Sequence, residues 1–129
     1  MNRTELVILV VRRGQIFMNK TFTMTDLAAI IAQRKSEPNP ESYTVRLLQK
    51  GADQIERKVL EEAMEVILES HDGQKERLIS ELGDLLYHLL VLAAFHNISL
   101  SDIEQHLAAK HKSLQISKGE DHLGGGDHE

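Results

Sequence analysis

Neither cysteine nor tryptophan occurs in the 129 residues. The first absence excludes a disulfide framework and thiolate chemistry, and it fits a reducing, cytoplasmic setting. The second, with aromatic residues at only 4%, argues against the stacking platforms on which single-stranded nucleic acid is held. A net charge of -5 argues the same way, because nucleic-acid binders carry a basic footprint. The glycine-rich phosphate cradles G-x-x-x-x-G-K-[ST] and G-x-G-x-x-G are also missing. Near the N-terminus the apolar core Leu6 to Val11 is too short to span a bilayer, and no small-residue cleavage site follows it. No membrane partner is therefore expected. The Val and Ile of that segment suit a β-strand. Residues 1–17 are set apart as an extension whose place in the domain the sequence leaves open. Met18 is an alternative start, because "MNKTFTMTDLAAII" opens like a helical domain.

What is present is helical spacing. The length suits one domain able to bury a core unaided. Thr25 is placed to cap "DLAAIIAQRK", which carries Leu27, Ile30 and Ile31 on one face. Pro38 and Pro40 end that helix in the loop "SEPNPES". Ser42 is placed to cap "YTVRLLQKG", which Gly51 closes. Asp53 and Glu56 have capping-box spacing for a helix running to about Ser70. After the turn "HDGQ" a long helix runs from about Gln74 to His96, with Asn97 as its stop. Ser101 and Glu104 have capping-box spacing again, ahead of "DIEQHLAAKHK". The expectation is an all-α domain over residues 18–113, about five helices, with an antiparallel central pair. Residues 114–129, polar and Gly-rich, read as a flexible tail.

The central pair raises a question. "KVLEEAMEVILES" (58–70) carries Glu61, Glu62 and Glu65 inside an apolar pattern, and "SELGDLLYHLLVLAAF" carries Glu81 and Asp84 ahead of an apolar run. With Asp72 as the turn, Glu65 stands about 10 Å from it, Glu62 about 15 Å, Glu81 about 14 Å and Asp84 about 18 Å. The pairs Glu62/Glu65 and Glu81/Asp84 thus face one another at similar heights. Four converging carboxylates repel in a partly dry setting. A hard divalent cation such as Mg²⁺ removes that repulsion and leaves room for substrate phosphates. The ordinary alternative is a solvated acidic stripe, since E-x-x-E is common on exposed helix faces. His88, one turn past Asp84, is placed either to support a ligand or to serve as a hydrogen-bonded core residue. Arg34, Lys35, Arg46, Lys50, Arg57 and Lys58 offer a phosphate clamp or simply a solvated face. His111, His122 and His128 have no persuasive ligand spacing.

"EEAME" followed by "ELGD" resembles the E-E-x-x-E … E-x-x-D signature of the MazG-type all-α nucleotide pyrophosphohydrolases. With "SYTVRLLQKG", "KVLEEAMEVILES" and "ELGDLLYHLLVLAAFHNISLSDI" in that order, the chain resembles the phosphoribosyl-ATP pyrophosphohydrolase family over about Thr25 to Lys112. The resemblance implies Mg²⁺-dependent hydrolysis of phosphoribosyl-ATP to phosphoribosyl-AMP and pyrophosphate, the second step of histidine biosynthesis. It implies metal ligands at Glu62, Glu65, Glu81 and Asp84, and catalytic carboxylates at Glu61 and Glu62. It implies substrate-phosphate contacts at Lys50 and Lys58, to which Arg46 and Ser42 are joined. It also implies a homodimer whose helices share one bundle and a small-molecule nucleotide substrate. Two rivals stand beside it: a house-cleaning hydrolase of free nucleoside triphosphates, and a non-enzymatic helical dimerisation module. A panel of triphosphates separates the first, and a Mg²⁺-dependent thermal shift separates the second.

Overall fold

The computed structural model describes the backbone of residues 7–12 and 15–123, and side chains from 21 to 112. Two compact units result, Met1–Asn97 and Ile98–Glu129. The first opens with strands β1 (Val7–Arg12) and β2 (Gln15–Thr21), paired antiparallel. The Val/Ile-rich segment therefore forms the strand its composition suits. The boundary expected at Met18 falls inside β2, where Met18 pairs with Leu9. Helical structure begins only at α1 (Met24–Ser36).

From there the domain is all-α, with α2 (Tyr43–Lys50), α3 (Ala52–Asp72) and α4 (Lys75–Phe95) completing the first unit and α5 (Leu100–Leu123) forming the second. Ser42 caps α2 through Val45 N, and Gly51 closes it at φ 92°, a left-handed conformation that favours glycine. Asn97 likewise ends the α4 region with φ 59°. Three caps differ from the sequence expectation. Thr23, not Thr25, caps α1 in a reciprocal box with Asp26. Gly51 precedes α3, so Asp53 lies in the first turn and favours the helix through its charge rather than as a cap. Ser99 and Asp102, not Ser101 and Glu104, make the reciprocal box of α5. Helix α5 also runs past Lys112 to Leu123, into the stretch expected as tail; residues 124–129 lie outside the described residues.

Helices α3 and α4 make the most extensive helix contact and run antiparallel across the turn at Gly73 and Gln74. Helices α1 and α2 pack on each other and on this pair. The core is small: Ile31, Val45, Leu47, Ile55, Leu90 and Val91 are buried. Outside it, α3 leaves Leu60, Met64, Ile67 and Leu68 exposed, and α4 leaves Ile79, Leu82, Leu86 and Leu89 exposed. By length and composition α4 could cross a membrane. It nevertheless carries Glu81, Asp84 and the buried His88, and it packs against three helices of its own unit. Those features are costly in lipid and suit a bundle helix.

Candidate active site

Three carboxylates meet between α3 and α4. Oxygens of Glu62, Glu81 and Asp84 all lie within 4.8 Å of one another. The antiparallel pairing places them there, because their heights above the turn, about 14–18 Å, nearly coincide. Glu65, expected in the same set, stands a turn lower and is exposed outside the three-oxygen cluster. Its charge is still felt at Glu81.

Glu81 holds its proton above the ordinary carboxyl range. Desolvation is the largest cause, followed by a hydrogen bond with Glu62 and by the charges of Glu62, Asp84 and Glu65. Burial and like charges both disfavour the ionised form. The trio therefore contains repulsion that a cation would relieve. An all-oxygen, all-anionic donor set of this kind suits Mg²⁺ and gives no reason to expect a softer metal.

Lys58 lies one turn before Glu62. Its Nζ is 3.1 Å from Glu61 Oε2 and 4.0 Å from Glu62 Oε1. The hydrogen bond to Glu61 is the main reason its pKa is raised, with the charges of Tyr43, Glu61 and Glu62 adding to it. Glu61 is half exposed and stands beside the cluster rather than in it. Ser42 and Arg46 have other work. The Ser42 hydroxyl accepts from Val45 N, and the Arg46 guanidinium donates to the carbonyls of Pro40 and Glu41 at 3.1 and 2.8 Å. Lys50, in the last turn of α2, is exposed and has no hydrogen bond or ion pair among the described residues. So the structure brings Lys58 to the carboxylates, while Ser42 and Arg46 order the start of α2.

His88 is buried. Its Nδ1 lies 2.7 Å from the Asp84 carbonyl, which can only accept, so Nδ1 carries the proton. Its Nε2 shares a hydrogen bond with the Tyr43 hydroxyl at 3.1 Å. The hydrogen-bonded core reading of His88 is the one observed. Beside it the Thr44 and Tyr87 hydroxyls are hydrogen-bonded. Burial pushes the Tyr87 phenol up, with the Thr44 bond and the Arg34 charge opposing. Sequence reasoning assigned no role to Tyr43, Thr44 or Tyr87. Their signal was a polar pair, Tyr87 and His88, in an otherwise apolar run, opposite the polar pair that opens α2.

A model of the family described as phosphoribosyl-ATP pyrophosphohydrolase matches residues 24–111. The chain is 43% identical over 103 residues to a phosphoribosyl-ATP pyrophosphatase of Clostridium acetobutylicum, covering 80% of this chain and 94% of that protein. A protein of the same name from Bacillus thuringiensis is 44% identical over 97 residues, covering 75% of this chain and 89% of the relative. Another from Metallosphaera sedula is 45% identical over 92 residues, covering 71% and 99%. All three carboxylates of the cluster, and the tyrosines and His88 beside them, fall within the matched residues. The chain belongs to the phosphoribosyl-ATP pyrophosphohydrolase family.

Proposed function

We propose that this protein hydrolyses phosphoribosyl-ATP to phosphoribosyl-AMP and pyrophosphate, as an enzyme of histidine biosynthesis in the cytoplasm. The observation that carries the reading is the three-carboxylate cluster of Glu62, Glu81 and Asp84 in a chain of this family. Those residues would hold Mg²⁺, which when bound offsets phosphate charge and polarises the oxygens attached to phosphorus.

The chain's own part is positioning. Two 21-residue helices fix the carboxylates on a rigid frame. Water adds to phosphorus between the α and β phosphates, the bridging P–O bond breaks, and pyrophosphate leaves. The proton released by the water goes to a carboxylate, the role assigned to Glu61, whose carboxylate is 3.1 Å from Lys58 Nζ. Lys58, between Glu61 and Glu62, offers its ammonium to the departing phosphates. Electrostatic preorganisation of this sort supplies most of the rate in phosphoryl transfer.

The test is release of pyrophosphate from phosphoribosyl-ATP, with and without Mg²⁺, beside a panel of nucleoside triphosphates. Mg²⁺-dependent release from phosphoribosyl-ATP in preference to the panel is expected. Preference for a free triphosphate would redirect the assignment, and no release from any substrate would end it.

A further inference from the structure

A cavity of about 250 Å³ opens between the C-terminal end of α1, α2 and the last turn of α4. Val45, Leu48 and Phe95 give it an apolar lining, Gln49 adds an amide, and Arg34 and Lys35 border it. The two cations differ. Lys35 Nζ donates to the Ala94 carbonyl at 2.6 Å and to Asn97 Oδ1 at 2.5 Å, so it belongs to the end of α4. Arg34 has no hydrogen bond or ion pair among the described residues. Its charge nevertheless reaches Tyr87. A guanidinium without a partner, beside an apolar cavity, suits a phosphate held by two parallel hydrogen bonds.

Position gives the cavity its meaning. Phe95 lies eleven residues beyond Asp84 on α4, which is about 16 Å along the helix. Tyr43 and Tyr87 stand between the two places, their ring centroids 6.3 Å apart and their planes inclined by 30°. Tyr43 is 46% exposed, so part of that ring is open to a ligand. Three features therefore follow in order along α4: an anionic cluster, an aromatic pair and an apolar cavity bordered by the Arg34 guanidinium. A ligand with a polyphosphate at one end, a flat base in the middle and a second phosphate at the other has the same order. We propose that the cavity takes the second ribose 5-phosphate of the substrate, with Arg34 on its phosphate. Arg34 is then a specificity-determining residue that separates phosphoribosyl-ATP from ATP. This inference rests on the function proposed above.

The experiment compares wild type, Arg34→Ala and Arg34→Lys on phosphoribosyl-ATP and on ATP, with Mg²⁺ present. Arg34 is an exposed helix residue, so circular dichroism should report an intact fold in both variants. In Arg34→Ala the KM for phosphoribosyl-ATP should rise at least about tenfold, the scale of a lost charge-assisted contact, with kcat affected far less. Selectivity for phosphoribosyl-ATP over ATP should fall by a similar factor, and Arg34→Lys should restore part of it. Ribose 5-phosphate should inhibit the wild type competitively and the alanine variant much more weakly. An active wild type with an unchanged KM in Arg34→Ala overturns the inference alone. A wild type inactive on phosphoribosyl-ATP overturns the function and the inference together.

Discussion

Glu62 and Glu65 are the same residue three positions apart on one helix, yet only Glu62 joins the cluster with Glu81 and Asp84. One turn of rise decides it, since Glu62 is level with its α4 partners and Glu65 is nearer the connection. Replacing Glu62 or Asp84 by the matching amide should reduce turnover at least about a hundredfold, the scale expected when a preorganised charge is lost. Both variants should remain folded, and near-normal rates in both would refute the assignment. Glu81 allows a prediction in the metal-free protein. Its folded-state proton affinity is raised, chiefly by desolvation. A raised carboxyl pKa means that ionisation opposes folding once pH exceeds the ordinary carboxyl range. Glu81→Gln should therefore raise the thermal midpoint in chelator at neutral pH, and should abolish any upward shift on adding Mg²⁺. A lowered midpoint in chelator would show that the charge is compensated in some other way. The carboxylates were legible because helical rise converts sequence spacing into height. The Tyr43–His88 and Thr44–Tyr87 bonds were not, because they depend on how α2 rotates against α4, and no spacing rule fixes that.

The same limit explains the helix ends. Each sequence-expected cap for α1 and α5 sits two residues beyond the observed one, and each observed box closes on an aspartate, Asp26 or Asp102. Threonines at 21, 23 and 25 and serines at 99 and 101 offer several local solutions, and the choice belongs to packing. Two elements then make testable statements. The start of α2 is fixed to α4 by Tyr43 and Thr44. Tyr43→Phe leaves the buried Nε2 of His88 without its hydrogen-bond partner, which costs about 1–3 kcal/mol. Denaturant unfolding should show that loss, whereas an unchanged midpoint would mean that water replaces the hydroxyl. For α5, the Asp102 carboxyl is held below its ordinary value of 3.8, chiefly by the backbone hydrogen bond from Ser99. A depressed folded-state pKa gives stability that is present above 3.8 and lost as pH falls through the depressed value. Amide exchange in the first turn of α5 should be steady above about pH 5 and, corrected for intrinsic rates, should quicken as acid protonates Asp102. Asp102→Asn should remove most of that pH dependence.

At the scale of the whole molecule, one chain leaves too much apolar surface uncovered. Leu60, Met64, Ile67 and Leu68 recur at helical spacing on α3, and Ile79, Leu82, Leu86 and Leu89 do so on α4. Each of these two helices therefore carries a second apolar stripe beside the face it buries against the other. The stripes flank the carboxylates, so whatever covers them also borders the site. A second copy of the chain is the partner we propose, because pairing these faces completes a helical bundle and removes the exposed patch. The β1–β2 hairpin is no part of that logic, and an isolated two-stranded hairpin adds little stability. A chain beginning at Met18 should keep the dimer, the helical circular dichroism and the activity. Light scattering at micromolar concentration, without detergent, should give twice the chain mass of 14.6 kDa. A monomer would refute the dimer, and a mass that falls to one or two chains only in detergent would point to lipid instead. If Lys50, exposed and unpaired among the described residues, serves the site of the other copy, subunit mixing will reveal it. Chains carrying Glu62→Gln and chains carrying Lys50→Ala should each be nearly inactive alone. Mixed, they should recover part of the activity, because each hybrid holds one site with both residues intact. A stable dimer without recovery would keep the pairing of the two apolar faces and place the phosphate contacts of each site within a single chain.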